Sequence, residues 1–272
     1  MKTNSSILEV HNLQKNFSGL AAVSGATFDV ERGSITALIG PNGAGKSTVF
    51  NIISGVYRSE GDGRIVFDGH RIDRLARHRI VRQGLVRTFQ NTKSLSKISV
   101  LENMMLAAKD QPGEHLSELF VRPLAVRRRE KQIQGTAMEL LDLFHLTPLC
   151  NDYAGTLSGG QRKLLEFARA LVTEPKLILL DEPLAGVNPS LGRSIIEYMK
   201  SLQRNQGVTF LFVEHDMAAV MSASDQVIVM GNGNVIASGT PDAVRADPLV
   251  RDAYLGRSGK SKSTPTEEEA QR

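Results

Sequence analysis

The period of hydrophobic and polar positions changes along this chain, and each change predicts an element. Residues 8–17 (LEVHNLQKNF) and 26–33 (ATFDVERG) alternate apolar and polar side chains, as half-exposed antiparallel strands near a sheet edge do. Residues 34–40 (SITALIG) form a short apolar run, and residues 46–55 (KSTVFNIISG) carry apolar side chains at helical spacing. We therefore predict a buried strand, a glycine-rich loop and a helix, in this order.

The middle of the chain predicts a helical insertion. A strand at residues 64–70, a helix at 72–84 and a short strand at 85–89 come first. From there to about residue 166 the pattern is almost wholly helical. This stretch separates the glycine-rich loop from the strands that follow.

The last third predicts a parallel sheet. The apolar strands LILLDEP and VTFLFVEHD are joined by the helical pattern LGRSIIEYMKSLQRN, and such an arrangement is typical of parallel strands buried on both faces. QVIVMGNGNVIASG predicts a closing hairpin with its turn at GNGN. Residues 257–272 are polar and poor in apolar side chains, which predicts a disordered tail.

Composition narrows the class of protein. The 272 residues are 41% apolar, and the single cysteine, Cys150, excludes an intrachain disulfide, which favours a reducing cytosol. The sequence shows neither a signal peptide nor a run of about 18 apolar residues, so we expect no membrane span. With a net charge of only +4 we expect no nucleic-acid partner. One cluster of basic side chains stands out: Arg122, Arg127, Arg128, Arg129 and Lys131. It predicts either a solvated helix face or a surface that lies near anionic lipid or a partner subunit.

The glycine-rich loop, GPNGAGKST, fits the P-loop pattern Gly-x-x-x-x-Gly-Lys-Ser/Thr. In such a loop backbone N–H groups surround phosphate oxygens, the ammonium of Lys46 bridges the β- and γ-phosphates, and the hydroxyl of Ser47 ligates Mg²⁺. An ordinary glycine-rich turn is the alternative, but it does not require lysine and serine at these positions. The predicted nucleotide-binding residues are Gly40, Pro41, Asn42, Gly43, Ala44, Gly45, Lys46, Ser47 and Thr48.

Polar side chains follow the apolar strands at the edge where ligands of open α/β sheets collect. Asp181 is placed to hold Mg²⁺ through water, and Glu182 to polarise the water that attacks the γ-phosphate. His215 is placed to bond the γ-phosphate, and Gln90 to reach metal or water with its amide. A polar turn after the first of these strands and a structural histidine after the second are the alternatives.

A second anion site is predicted at LSGGQ. Ser158 is a helix N-cap, and Gly159 and Gly160 expose the first backbone N–H groups of the helix, with Gln161 beside them. A simple cap explains the serine but not two glycines, which weaken a helix. Because the helical insertion separates LSGGQ from the P-loop, we predict that two chains pair head to tail, each P-loop facing the other chain's LSGGQ.

The order of these segments resembles the nucleotide-binding subunit of an ABC transporter, over about residues 8–256. RTFQN, DEPLAGVNP, EHDM and AYLG are similar to the branch that serves branched-chain amino-acid importers. The resemblance implies an α/β fold with a P-loop NTPase core of the ABC type, a mixed sheet, an N-terminal antiparallel β subdomain and an inserted helical subdomain. Its implied bounds are a single domain at 1–256, with the core and antiparallel subdomain at 1–90 and 167–256 and the helical subdomain at 91–166.

The resemblance also implies roles for matching residues. Ser47, Gln90 and Asp181 would serve Mg²⁺, Glu182 would be the catalytic carboxylate and His215 the γ-phosphate switch. Ser158 and Gly160 would contact the ATP of the other subunit. Phe17 resembles the aromatic residue that stacks on adenine, although a strand-end phenylalanine is as readily plain core. Asn188 stands where the family usually has an aspartate, which puts charge-dependent communication between the two sites in doubt.

The implied activity is ATP hydrolysis with Mg²⁺ on the cytoplasmic face of the inner membrane. The implied partners are an identical or paralogous ATPase subunit, integral membrane permease subunits and, indirectly, an external solute-binding protein. Other solutes, such as urea, amides or other amino acids, stay open. A soluble ABC ATPase acting on DNA or ribosomes is a further alternative, but the chain has one cassette and no sustained heptads. A small-molecule kinase would leave LSGGQ unused.

Overall fold

The computed structural model describes residues 6–88, 95–109 and 123–255, and it begins with an antiparallel sheet. Its strands are β1 (Ser6–Phe17), β2 (Leu20–Glu31), β4 (Arg64–Phe67) and β5 (His70–Arg71), in the order β2-β1-β4-β5. Every pairing within this sheet is antiparallel. The alternating pattern at the start of the chain therefore predicted the correct kind of sheet.

The segment after the P-loop helix differs from its prediction. The predicted strand at 64–70 is a hairpin, because Asp68 (φ 50°) and Gly69 (φ 77°) form a tight turn between β4 and β5. The predicted helix at 72–84 begins only at Arg77. Ile72 is buried and still donates its N–H to the carbonyl of Ile65, so the hairpin extends into the residues that were expected to be helical.

A six-stranded mixed sheet forms the centre of the molecule, in the order β10-β9-β3-β8-β7-β6. The pairings from β9 to β6 are parallel, and β10 pairs antiparallel with β9 as the predicted closing hairpin. The strands are β3 (Ile35–Ile39), β6 (Leu85–Arg87), β7 (Leu177–Asp181), β8 (Thr209–Val213), β9 (Gln226–Gly231) and β10 (Asn234–Gly239).

Both faces of this sheet are covered. Every residue of β3, β7 and β8 is buried. Ile178 and Leu180 pack with the helices on one side, whereas Leu177 and Leu179 pack with the first helix and the antiparallel sheet on the other. Burial on both faces confirms the prediction made from the continuous apolar runs.

Helices join the strands and form the insertion. Short 3₁₀ turns lie at Thr147–Leu149 and Ala154–Thr156. The helices of the described residues are α1 (Lys46–Ile53), α2 (Arg77–Gln83), α3 (Val100–Ala107), α4 (Pro123–Leu143), α5 (Gly159–Leu171), α6 (Pro189–Gln206), α7 (Met217–Ala223), α8 (Pro241–Ala246) and α9 (Pro248–Leu255).

The predicted helical segment corresponds to α3, α4 and the start of α5. Arg127, Arg128 and Lys131 are exposed on α4, while Arg129 donates to the carbonyl of Lys109. Arg122 and the tail at 257–272 lie outside the described residues. The predicted boundary at residue 166 falls inside α5, which continues to Leu171 because its last turn packs into the helical core.

Candidate functional site

The carboxyl ends of β3, β7 and β8 meet at one edge of the central sheet. The P-loop follows β3, Glu182 follows β7, and His215 comes two residues after β8. Because these strands are parallel neighbours, loops that are distant in sequence come together at this edge.

The P-loop is held tightly by two neighbouring strands. Gly40 has φ 149° and Gly45 has φ 99°. A Cβ atom on Gly40 would lie 2.3 Å from the carbonyl oxygen of Met230, and one on Gly45 would lie 2.4 Å from that of Ala22. Only glycine fits at these two positions, and Gly43 between them faces open space.

Lys46 lies under this loop and is only 6% exposed. Its Nζ donates to the carbonyl oxygens of Gly40, at 2.8 Å, and Pro41, at 3.1 Å. Burial lowers the pKa of Lys46 from its ordinary value, while the carboxylates of Glu182 and Asp181 act in the opposite direction. A desolvated ammonium with neutral partners is well suited to bind an anion.

An open cleft of about 670 Å³ lies over the P-loop. It brings together the loop predicted from the sequence with the carboxylate and the histidine predicted from two distant strands. The antiparallel sheet and the turn between β9 and β10 complete its walls. The lining residues are Leu20, Ala21, Ala22, Asn42, Gly43, Ala44, Gly45, Lys46, Ser47, Thr48, Glu182, His215 and Asn232.

Glu182 and His215 are paired in this cleft. The Nε2 atom of His215 lies 2.9 Å from Oε1 of Glu182. Glu182 has φ 50°, a strained conformation for a residue with a side chain, and its N–H donates to the carbonyl of Val213 at 3.0 Å. Such strain at a catalytic candidate is typical of sites where surrounding contacts determine the geometry.

Asp181 is 7% exposed and forms an ion pair that sequence reasoning missed. Arg87, at the end of β6, places Nη2 2.7 Å from Oδ2 of Asp181. It also donates to Oδ1 of Asn51, at 2.7 Å, and to Oγ of Ser54, at 3.1 Å. Arg87 therefore connects the carboxylate to α1; an arginine within a short apolar strand was the signal that could have revealed it.

These residues fit a magnesium–nucleotide complex. Ser47 lines the cleft, and Arg87 is the only hydrogen-bond partner of the Asp181 carboxylate among the residues described. No group of three or more histidine, cysteine, aspartate or glutamate side chains in those residues is arranged to hold a metal by itself. Mg²⁺ commonly takes one or two carboxylates and completes its shell with water and phosphate, which this arrangement allows.

The LSGGQ segment lies apart from that cleft. Ser158 and Gln161 form a reciprocal cap at the start of α5: the N–H of Gln161 donates to Oγ of Ser158 at 3.3 Å, and the N–H of Ser158 donates to Oε1 of Gln161 at 2.8 Å. None of residues 158–161 lines the P-loop cleft. One chain therefore does not bring the two predicted anion sites together.

Comparison with known proteins decides the family. The model of the ABC transporter family matches residues 23–185, more than half of the chain. A shorter model, described as branched-chain amino acid ATP-binding cassette transporter, matches residues 234–260.

The chain belongs to the ABC transporter family.

Relatives of this ABC cassette agree with that assignment. It is 42% identical to the high-affinity branched-chain amino acid transport ATP-binding protein BraF of Pseudomonas aeruginosa, over 92% of this chain and 98% of the relative. It is also 42% identical to a probable branched-chain amino acid transport ATP-binding protein, LivG, of Archaeoglobus fulgidus, over 92% and 95%. The cassette is accordingly an ATP-hydrolysing enzyme.

Solved structures confirm the predicted fold class. A nucleotide-free ATP-binding cassette from an ABC transporter superposes with a TM-score of 0.78 at 37% identity, covering 92% of this chain and 99% of the other. A dimeric cassette bound to ADP and phosphate shares the fold, with a TM-score of 0.71 at 23% identity over 86% and 98%. No helix in the described part of the cassette is long and apolar enough to cross a membrane.

The structure defines the surroundings of three positions that the sequence singled out. A Cβ atom on Gly160 would lie 2.5 Å from Cδ2 of Leu191, so the side chain of Leu191 on α6 packs directly against this glycine. Asn188 caps α6 by accepting the N–H of Leu191 at 2.8 Å.

Phe17 is 40% exposed and stacks edge-on against Tyr57, with ring centroids 5.3 Å apart. Plain core is therefore the wrong interpretation of Phe17.

Gln90 lies outside the described residues. Thr88, two residues before it, donates its N–H to the carbonyl of Leu179 on β7 at 3.0 Å.

Proposed function

We propose that this ABC cassette is the ATPase subunit that powers uptake of branched-chain amino acids through separate membrane subunits. The observation that carries the proposal is the cleft in which the P-loop, Glu182 and His215 meet. The names of the relatives and the family model matched at residues 234–260 support the solute class. Urea, short amides and other amino acids are the alternative solutes.

In this proposal the P-loop and Lys46 bind the β- and γ-phosphates of ATP. The Nζ of Lys46 exchanges its bonds with the carbonyls of Gly40 and Pro41 for phosphate oxygens. The dipole of α1 favours the negative charge, because the helix begins at the loop. Burial of the ammonium strengthens this attraction by lowering the local dielectric constant.

Glu182 is the proposed general base. Its carboxylate lies in the cleft and accepts the proton of the water that attacks the γ-phosphate. His215 lies 2.9 Å from it and orients the carboxylate before ATP binds. When the γ-phosphate is present, we propose that His215 bonds to it and so distinguishes ATP from ADP.

Ser47, Gln90 and Asp181 are the proposed holders of Mg²⁺. The bound ion would neutralise charge on the β- and γ-phosphate oxygens. Arg87 keeps the Asp181 carboxylate in place at the end of β7. Phe17, exposed beside Tyr57, is the proposed surface for adenine, since an exposed ring can stack on a base.

A second chain completes the ATP site in this proposal. Ser158, Gly159, Gly160 and Gln161 lie outside the chain's own cleft, so they are available to the nucleotide held by a partner. The partner is a second copy or a paralogous subunit. The assembly would lie on the cytoplasmic face of the inner membrane with the permease subunits, and an external binding protein would deliver the solute.

The catalytic assignment is tested with Glu182→Gln. We expect Mg²⁺-dependent release of phosphate to fall by at least about a hundredfold while ATP affinity is kept, because the amide cannot accept the proton. Glu197→Gln, an exposed carboxylate on α6, is the matched control and should hydrolyse ATP normally. Normal turnover by Glu182→Gln would remove the general base from the proposal.

The solute is tested in vesicles that hold the complete transporter. Uptake of labelled leucine, isoleucine or valine should require ATP on the side of the cassette and should stop with Glu182→Gln. Uptake of urea or short amides in preference to these three would overturn the solute assignment and leave the ATPase assignment intact.

A further inference from the structure

Residues 182–185, here called the Glu182 turn, are held by polar contacts from two sides. The turn is tight, since the N–H of Ala185 donates to the carbonyl of Glu182 at 3.2 Å. Its first residue has φ 50°. A strained conformation of this kind persists only where neighbouring groups determine it, so the contacts around the turn hold the backbone that carries the Glu182 carboxylate.

Lys163, on α5, approaches the turn from the helical side. Its Nζ lies 3.4 Å from the carbonyl oxygen of Glu182 and 3.3 Å from that of Pro183, and it donates a third bond to the carbonyl of Ala185. An ammonium has three N–H donors, which matches the three carbonyl oxygens of this turn. Lys163 is only half-buried, yet its Nζ makes no hydrogen bond to any other part of the described chain.

Glu214 approaches from the central sheet. It is 5% exposed, and its carboxylate accepts the N–H of Leu184 at 2.6 Å and that of His215 at 3.1 Å. One side chain thus joins the turn that carries Glu182 to the backbone of the histidine paired with it. Its charge also attracts Lys163 across the turn: burial lowers the pKa of Lys163 and Glu214 opposes that shift.

The same lysine belongs to the helix that begins at Ser158. Lys163 is the fifth residue of α5, and the reciprocal cap of Ser158 and Gln161 lies at the start of that helix. A rigid helix therefore lies between the second anion site and the contact with the Glu182 turn. In the proposed dimer these two places serve different ATP molecules.

We propose that Lys163 and Glu214 are positioning residues for ATP hydrolysis: together they hold the Glu182 turn, and Lys163 couples that turn to the anion site at the start of α5. This inference rests on the proposed function. It assigns communication between the two ATP sites to an ammonium and backbone carbonyls. Communication between the sites then does not require a charged aspartate in place of Asn188.

Steady-state hydrolysis by the full-length protein tests the role of Lys163. For Lys163→Met we expect kcat to fall by about tenfold to a hundredfold, since a small displacement of a catalytic group has effects of this size. The KM for ATP should stay within about twofold, because phosphate binding belongs to the P-loop. Lys163→Arg should recover most of the activity, since a guanidinium also donates several bonds.

Lys200→Met is the matched control. Lys200 is also a half-buried helical lysine, on α6, and its Nζ donates to the backbone carbonyl of Ser222 at 2.6 Å. Losing this contact should leave kcat unchanged. If Lys163→Met kept a normal kcat, or if Lys200→Met lowered kcat as much as Lys163→Met does, the positioning role would be wrong.

The link through α5 is tested by a double-mutant cycle of kcat. Ser158→Ala and Lys163→Met should together lower kcat by clearly less than the product of their separate effects, because both interrupt one connection. A purely multiplicative result would overturn the coupling. Glu214→Gln should lower kcat with ATP affinity retained, since the amide cannot accept both N–H groups as the carboxylate does.

Two variants separate this inference from the proposed function. If Glu182→Gln is inactive while Lys163→Met and Glu214→Gln are fully active, the positioning role is overturned and the proposed ATPase mechanism stands. If Glu182→Gln hydrolyses ATP normally, both are overturned, because there is then no catalytic carboxylate for the turn to place.

Discussion

Two helices in this molecule begin at glycine-rich segments, and only one of them has a side-chain cap for its first backbone N–H groups. The first helix, α1, begins after Gly45 without a side-chain cap. The other, α5, begins after Ser158 and is closed by the reciprocal cap with Gln161. An N-terminus without a cap offers its N–H groups to phosphate, whereas a capped one has already bonded some of them. The P-loop is thus ready to bind an anion within one chain, and LSGGQ depends on what a partner brings.

The two regions also differ in buried charge. Lys46 begins α1, Arg87 and Asp181 lie beside it, and all three are largely hidden from solvent. The start of α5 presents uncharged side chains, Ser158 and Gln161. Substitutions around α1 should therefore change stability and ATP binding by the isolated chain more than substitutions at the start of α5.

The largest effect is expected from Arg87→Met. It leaves the carboxylate of Asp181 buried without its partner, and breaking a buried ion pair costs about 3 kcal/mol or more of the free energy of unfolding. Denaturant unfolding measures the loss, and Arg128→Met, on the exposed face of α4, is the control with little expected change. A loss equal to that of the control would show that the pair contributes nothing to the stability of the region.

Lys46→Met should weaken ATP binding about a hundredfold, which corresponds to the roughly 3 kcal/mol of a strong charge-assisted bond. The methionine fills similar space, so the fold should persist. Calorimetric titration of the isolated chain with ATP gives the affinity. Ser158→Ala should bind ATP as the unaltered chain does in the same titration, and a comparable loss there would contradict the proposed division between the two helix N-termini.

A glycine from each region gives the next comparison. Gly45→Ala places a Cβ against the carbonyl of Ala22 at positive φ, and we expect a loss of about 2 kcal/mol in the free energy of unfolding. Gly159→Ala meets no atom within 4 Å in a helical turn, and a gain of about 0.5 kcal/mol is expected. Thermal unfolding should shift in opposite directions; equal shifts would show that both loops tolerate a side chain alike.

The smallest loss of stability is expected from the cap itself. Ser158→Ala removes the acceptor for the N–H of Gln161 and should cost about 1 kcal/mol of stability. Ser158→Asp is the useful companion, because it keeps a cap but adds charge next to the proposed phosphate. If hydrolysis is lost with aspartate while stability is kept, the start of α5 acts on nucleotide in the assembly; unchanged hydrolysis would contradict that role.

The sequence predicted the parts of the site that follow local rules. The P-loop, Asp181, Glu182 and His215 lie at the predicted edge of the sheet, because glycine spacing and strand ends indicate that place; their roles stay predictions. Arg87, Lys163 and Glu214 were missed. Arg87 bonds to Asp181, 94 residues away, Lys163 to carbonyls 19 to 22 residues away, and Glu214 to Leu184, 30 residues away. No local pattern marks a contact over such separations.

Local ambiguity accounts for other differences. The Asp-Gly dipeptide at 68–69 is a strong hairpin signal, but the short apolar run around it was interpreted as one strand. The sequence did not decide whether Phe17 is buried or exposed, because the alternating pattern does not predict which residues pack over the end of a strand. The position of Tyr57, brought close by folding, decides its surroundings.

By itself the sequence determined the fold class, the P-loop and the residues at the sheet edge, because period, glycine spacing and strand ends are local properties of the chain. Only the tertiary structure decided that Arg87 holds Asp181, that Glu182 pairs with His215 and that Lys163 bonds to the Glu182 turn. These contacts depend on which strands are neighbours and on how α5 packs against them. Such arrangements arise from the burial of the whole core, which a one-dimensional pattern does not contain.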